Sequence, residues 1–278
     1  MFIRKKGNRF YLVENQRTNG KIKQRVIKYL GVNPTTENEY LPKLNIIYND
    51  TAENILTKLP ANSIDCIIAD PPYFISYNRT FTRKEKDLNR NFGKWDQGDY
   101  QTFFNSWLPD CFRVLKHNLF LFTKFELIQY FAEAYPTYYK SALVWHKTNP
   151  APHFQKNTFI SACEPIIFFQ KQKGLFNFLS VNDMHNHIET PTEQRKKIRF
   201  HPTQKHEQVI KWLLQIGSKP NSLILDLFSG SGTTASVARQ MERNFIGVEN
   251  DFSYTRKSRE RIKSPPVVPQ EKKQLIDI

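Results

Sequence analysis

Two apolar runs, each cut off by an aspartate at a turn, constrain the fold of this 278-residue chain more than any other feature. Ile64-Asp65-Cys66-Ile67-Ile68-Ala69 runs into Asp70-Pro71-Pro72-Tyr73, and Ser222-Leu223-Ile224-Leu225 runs into Asp226-Leu227-Phe228-Ser229-Gly230-Ser231-Gly232-Thr233-Thr234. Short, nearly continuous apolar runs bounded by turn residues read as strands of a parallel sheet covered on both faces. The carboxyl ends of such strands open into a crevice where α/β folds hold their ligands. The first turn suits a pocket for a planar amine, and the second suits a loop that holds a nucleotide-like cofactor.

The rest of the chain alternates in the same way. Strands are expected at 44–48, 64–69, 119–122, 142–145, 166–169, 223–227 and 244–249, and helices at 126–134, 207–216, 233–240 and from Asp251 onward. From Tyr100 the apolar positions Phe103, Phe104, Trp107, Leu108, Cys111, Phe112 and Leu115 recur at i, i+3, i+4, so this aromatic stripe is the core face of a helix that Pro109 would kink. Asp50, with Glu53 three residues on, reads as the cap of another helix. The fold class is therefore α/β, a doubly wound and mostly parallel sheet. No internal repeat is visible.

Residues 1–33 read as a separate basic β-hairpin around Asn19-Gly20, with nine Lys/Arg against one Glu. Two readings stay open for it: a ribbon that touches DNA backbone, or an edge hairpin kept soluble by charge. Residues 33–38 look like a linker, and the proline-bearing tail 264–278 is expected to be flexible. The single large domain spans 44–263. The start of the chain lacks the apolar stretch of a secretory signal and no run is long enough to span a bilayer, so a cytosolic, membrane-free protein is expected. Cys66, Cys111 and Cys163 lie far apart without metal or disulfide spacing and read as small core residues. The net charge of +15 predicts attraction to polyanions, nucleic acid first.

The Phe228–Thr234 segment puts glycines where a backbone must turn and approach a ligand, ahead of a helix whose first amides attract anionic groups. Ala235 occupies the third glycine's place of a dinucleotide fingerprint, which weakens that reading. Glu249 follows at the spacing of a ribose-binding carboxylate, although capping the helix at Asp251 explains it as well. A pocket that takes an amine conjugated to a ring has mainly to position that amine. Asp70 offers an ionised acceptor, the Pro71 carbonyl a second one on a backbone stiffened by Pro71 and Pro72, and Tyr73 a ring on which a base can stack.

These motifs, in this order, resemble the beta group of amino-methylating DNA methyltransferases, whose catalytic motif precedes the cofactor motif in a permuted chain. His201-Pro202-Thr203-Gln204-Lys205, Leu115-Lys116, Trp145 through Pro152, Glu164, Asn250 through Tyr254, and Arg261 resemble further stretches of that family, so the likeness covers about 44–263. It implies S-adenosylmethionine as cofactor, with Ser229 and Thr233 binding it and Asp226, Phe228, Gly230 and Gly232 at its methionine end. It also implies Thr203, Gln204 and Lys205 seating that same portion, Glu249 on the ribose, and Asp50 near the adenine. Asp at position 70 resembles enzymes that act on the N6 amine of adenine, whereas relatives acting on the N4 amine of cytosine more often carry Ser. The implied function is a site-specific adenine methyltransferase on double-stranded DNA that flips its target base. N4 methylation of cytosine, or a catalytically silent DNA-binding protein of the same fold, are the alternatives.

A basic loop after the catalytic turn, with Arg79, Arg83, Lys84, Lys86, Arg90 and Lys94, could close over extruded DNA, and Trp95 could anchor it. The intervals 74–99 and 151–200 are where the resembled family places target recognition, and Arg195, Lys196, Lys197 and Arg199 suit phosphates. The His185/His187 cluster lacks further ligands, so no metal is expected. A cognate restriction endonuclease and a monomeric or homodimeric state are compatible with the resemblance.

Overall fold

The computed structural model describes residues 2–6, 9–18, 21–31, 42–72, 100–152, 159–193, 199–201 and 203–263. The expectations for the Asn19-Gly20 turn, the 33–38 linker and the 264–278 tail lie outside these residues. The chain divides into two units, 1–42 and 43–278.

The first unit is a three-stranded antiparallel sheet of β1 (Phe2–Lys6), β2 (Arg9–Thr18) and β3 (Lys21–Gly31). The β2/β3 register pairs Thr18 with Lys21, which leaves two residues for the connection. The expected hairpin thus gains a third strand. Arg4-Lys5-Lys6 hides the alternation of β1 in the sequence.

The second unit holds an eight-stranded sheet in the order β4-β11-β10-β5-β6-β8-β7-β9. Its strands are β4 (Ile46–Asn49), β5 (Ile64–Ala69), β6 (Leu115–Phe122), β7 (Tyr139–Lys147), β8 (Cys163–Gln170), β9 (His187–Thr190), β10 (Leu223–Asp226) and β11 (Asn244–Glu249). β4, β11, β10, β5 and β6 run parallel, and β8 is antiparallel to both β6 and β7. The helices are α1 (Ala52–Lys58), α2 (Tyr100–Val114), α3 (Ile128–Ala134), α4 (Glu207–Gly217), α5 (Thr233–Gln240) and α6 (Phe252–Lys263).

Strand alternation divides the core. Ile67, Leu119, Leu121, Ile167, Leu225 and Ile246 pack with Leu56, Phe104, Trp107 and Phe131 from α1, α2 and α3. Cys66, Ile68, Phe120, Ile166, Ile224 and Phe245 pack with Val209, Leu213, Leu214 and Ala238 from α4 and α5. Both faces being covered, the strands carry apolar residues in succession, as the runs in the sequence imply. From β10 the chain passes through α5 to β11 on one side, and from β5 through α2 to β6 on the other. The carboxyl ends of β5 and β10 therefore flank a switch point, where an open α/β sheet forms its ligand crevice.

Four local expectations are corrected. Thr51, not Asp50, caps α1: its Oγ1 accepts from the Asn54 N–H at 3.3 Å, while Glu53 accepts from the Ser106 hydroxyl rather than closing a capping box. Leu115 is the first residue of β6, not the end of α2's apolar stripe, since helix and strand abut without a loop. β9 is an additional, short edge strand largely open to solvent, anchored where the Trp145 indole N–H donates to Thr190 Oγ1 at 2.8 Å. Cys66 and Cys111 are core residues as expected, but Cys163 opens β8 at the surface. No helix among the described residues is long and apolar enough to cross a membrane.

Candidate active site

A cavity of about 1200 Å³ lies at the carboxyl ends of the central strands. Asp70, Pro71, Pro72, Phe122, Thr123, Lys147 and Glu164 line one side, and Asp226, Phe228–Ser231, Thr233, Glu249–Asp251 and Asp50 the other, whereas Gly232 packs behind the loop against Ser258 and Ile47. The structure thus brings the two turns singled out in the sequence to one crevice. Their strands are neighbours, with Asp226 paired to Ile68 two residues before Asp70.

On the β10 side the loop is shaped by backbone. Gly230 and Gly232 take φ of +47° and +72°, a region costly for residues with a side chain. A Cβ on Gly232 would also stand 3.0 Å from that of Ser258. The Glu249 carboxylate ties loop to sheet, accepting from the N–H of Gly230 and of Asp251, each at 2.8 Å. Burial raises the Glu249 pKa in spite of those donors. Of the two readings left open for Glu249 the structure shows the cap, since its carboxylate accepts from the Asp251 N–H, and the residue also lines the cavity.

Asp226 is buried, accepts from the Phe228 N–H at 3.2 Å and from the Thr234 hydroxyl, and is pushed up to about 7 by burial, with the Asp70 and Glu249 charges adding to the effect. Neither Asp226 nor Glu249 has an ion-pair partner among the described residues. Phe228 leans on Trp107 at 5.1 Å and Phe103 at 6.1 Å. Ser229 donates to Asp226 O, and Thr233 shares its hydroxyl with Ser231, Lys205 O and Arg261. Arg261 also pairs with Glu207, fixing the start of α5 against α4 and α6. Asp50 lines the cavity but is held by Lys58 at 2.9 Å; burial would raise its pKa, and the hydrogen bonds from Lys58, Asn54 and Thr51 outweigh that and lower it.

His201 and Thr203–Lys205 line the cavity between the two sides. Burial pushes the His201 imidazole down to about 4, with Lys205 assisting, so it is neutral and packs edge-on against Tyr254 at 4.4 Å and beneath Gly230. Thr203 sits by His201 Nδ1 at 3.2 Å. The Gln204 amide is buried, and neither its nitrogen nor its oxygen has a hydrogen-bond partner among the described residues. A buried amide with nothing to bond is costly unless a ligand completes it.

On the β5 side, Pro71 is buried and Pro72 half-buried after Asp70. The Asp70 carboxylate receives the Lys205 ammonium at 2.6 Å, and that ammonium also reaches Glu164 at 3.0 Å. Glu164 in turn receives Lys147 at 2.6 Å. Burial alone would lower the Lys205 pKa, but the two carboxylates more than compensate and hold it above the ordinary lysine range. Lys147 and Glu164 stand in stretches that carry the family likeness, yet their pairing with Lys205 has no signature along the chain.

Tyr73, Arg79, Arg83, Lys84, Lys86, Arg90, Lys94, Trp95, Arg195, Lys196 and Lys197 lie outside the described residues. Of the expected phosphate-binding residues, Arg199 is described, exposed and on the cavity's rim. No cluster of three or more metal-ligating side chains occurs among the described residues.

A family model described as DNA methylase matches residues 64–260, which include both strand ends and every described wall of the crevice except the α1 side. The chain belongs to the DNA methylase family. It is 29% identical over 246 residues to the type II methyltransferase M.HinfI of Haemophilus influenzae, covering 78% of this chain and 68% of that protein. To the type II methyltransferase M2.DpnII of Streptococcus pneumoniae it is 26% identical over 264 residues, covering 87% and 98%. Among solved structures it resembles the M1.HpyAVI–SAM complex, with a TM-score of 0.62 at 23% identity over 79% of this chain and 99% of that one. It likewise resembles the cytosine-N4-specific PvuII DNA methyltransferase, with a TM-score of 0.63 at 16% identity over 80% and 87%. These likenesses fit the α/β sheet described above.

Proposed function

We propose that this DNA methylase transfers a methyl group from S-adenosylmethionine to the N6 amine of adenine within a short specific site of double-stranded DNA, acting on a base flipped out of the duplex. The observation that carries the reading is Asp70-Pro71-Pro72 at the end of β5, facing the Asp226–Gly232 loop across one cavity.

The residues present fit the cofactor. Gly230, on the cavity wall, allows close approach of a ligand to the backbone, Gly232 makes the turn behind it, and Glu249 presents a carboxylate at the end of β11 for ribose hydroxyls. Among the described residues Gln204 has an unmet donor and acceptor, and Asp226 is an acidic group without a cation beside it, suited to a ligand that carries positive charge. When bound, S-adenosylmethionine supplies a methyl group already activated on a sulfonium.

The protein's task is then to place the amine. The Asp70 carboxylate and the Pro71 carbonyl accept the two amine hydrogens, which draws the nitrogen lone pair out of conjugation and toward the methyl donor. Two successive prolines fix the carbonyl's direction, since their φ angles are locked. As the amine gains its methyl group its nitrogen becomes cationic and loses one proton, for which the hydrogen-bonded Asp70 carboxylate is the nearest base. Unpairing and unstacking the base costs a few kcal/mol by general estimates, part of which stacking on an aromatic ring such as that of Tyr73 returns. The chain's net charge of +15 supports the approach to DNA. The type II names of both curated relatives support operation beside a cognate restriction endonuclease.

The test is transfer of labelled methyl from S-adenosylmethionine to mixed-sequence duplex DNA, followed by digestion and mass identification of the nucleosides. N6-methyladenine is the expected product; N4-methylcytosine would move the reaction to the other amine, and no methylated nucleoside would refute the reading.

A further inference from the structure

The His201–Lys205 segment faces two ways. Gln204 lines the cavity with a buried amide that has no hydrogen-bond partner among the described residues, whereas the neighbouring Lys205 places its ammonium on Asp70 Oδ2 at 2.6 Å and Glu164 Oε1 at 3.0 Å. Its Nζ also sits 4.9 Å from the centre of the Phe122 ring. Lys147 Nζ closes the row on Glu164 Oε2 at 2.6 Å and rests 5.0 Å from the Trp145 ring centre. Charges alternate along the row Asp70, Lys205, Glu164, Lys147, drawn from the end of β5, the loop before α4, β8 and β7. Such a row adds little stability, because the desolvation of buried ions offsets most of their attraction. What it fixes is geometry: the carboxylate that must accept an amine hydrogen is tied to a point charge held from the far side by a second carboxylate.

We propose that Lys205 is a positioning residue for methyl transfer rather than a cofactor contact, holding the Asp70 carboxylate in its accepting orientation with Glu164, backed by Lys147, as the brace. This assignment rests on the function proposed above and gives the last residue of the His201–Lys205 segment to the target side of the crevice. The cofactor side keeps the segment's Gln204 amide and the Lys205 carbonyl, which accepts from the Thr233 hydroxyl at 3.4 Å.

The experiment compares wild type, K205M, K205R, E164Q and K205M/E164Q in the full-length chain. For each it measures kcat at saturating S-adenosylmethionine and duplex DNA, the cofactor dissociation constant by titration, and the unfolding midpoint. In K205M, kcat falls by about 100-fold, the scale set by misplacing a reacting group by an ångström, while the cofactor dissociation constant stays at the wild-type value. K205R recovers part of the loss, because a guanidinium can also bridge two carboxylates. E164Q loses less than K205M, and the double variant loses no more than K205M alone, as groups acting in series should. If K205M does not fold, E164Q decides: reduced kcat with unchanged cofactor affinity supports the brace, and unchanged kcat overturns it. K205M with wild-type kcat at saturation and weakened cofactor binding overturns the inference alone. Absence of methyl transfer by the wild-type chain overturns the underlying function as well.

Discussion

The ends of β5 and β10 each present an aspartate to the same cavity, and the two are treated in opposite ways. Asp70 is given a cation of its own, Lys205, itself braced by Glu164. Asp226 is given, among the described residues, only neutral donors, the Phe228 N–H and the Thr234 hydroxyl, and burial pushes it up to about 7. A carboxylate with a built-in counter-ion is committed to the ionised form and can accept hydrogens from a neutral amine. One left without a cation in a buried place gains from a ligand that brings positive charge. The contrast suits the proposed function, in which one wall of the crevice takes a neutral base and the other a cationic cofactor.

The sharpest way to break this contrast is to remove each carboxylate. D70A should cut methyl transfer by at least about 10²–10³-fold, the loss seen when a pre-organised group at a reacting centre is deleted, with cofactor binding nearly intact. Steady-state turnover paired with calorimetric titration checks both halves, and unchanged turnover would remove Asp70 from its role. D226N should do the reverse, weakening the cofactor about 10- to 150-fold, the range for a hydrogen bond to a charged group, with a smaller change in kcat at saturation.

Asp226 also makes a stability prediction. Its carboxyl ionises near the ordinary value of 3.8 when unfolded and near 7 when folded. Between those values the folded chain holds the extra proton, so this group's stabilising contribution is full below about pH 4 and is lost as pH rises toward 7. Denaturant titrations of wild type and D226N across that window should diverge accordingly, with the variant lacking this loss.

A milder perturbation of the cofactor side alone is G232A. The +72° φ and the approach to Ser258 predict a destabilisation of at least about 1–2 kcal/mol, the cost of a left-handed conformation for an L-residue, read from denaturant unfolding. The smallest expected effect lies in the basic N-terminal unit. If its strands grip DNA backbone, replacing Lys21, Lys23 and Arg25 with Gln should make the logarithmic salt dependence of DNA affinity shallower by about 0.9 for each phosphate no longer neutralised. An unchanged slope would leave the unit a soluble edge.

The two strand ends were legible because they obey local rules. Continuous apolar runs identify β5 and β10, turn residues end them, and α5 and β11 fall at 233–240 and 244–249 as their patterns imply. Asp50 shows where local rules mislead. It and Thr51 both satisfy the composition of a cap, and only the backbone decides that Thr51 serves while Asp50 binds Lys58. β9 was hidden because an edge strand with solvated residues carries no apolar signal. The Asp70–Lys205–Glu164–Lys147 row was not legible as a network, since its members come from four separate segments, the end of β5, the loop before α4, β8 and β7, that meet only in the folded chain.

The measurement that most directly tests the opposed roles of the two carboxylates is the affinity of S-adenosylmethionine for wild type, D70A and D226N across the range from about two pH units below to two above the Asp226 midpoint near 7. The account predicts that wild type and D70A bind more tightly as pH rises and level off above about 7, where Asp226 is ionised, while D226N binds weakly and without that rise. A rise that persists in D226N, or one that disappears in D70A, would contradict it.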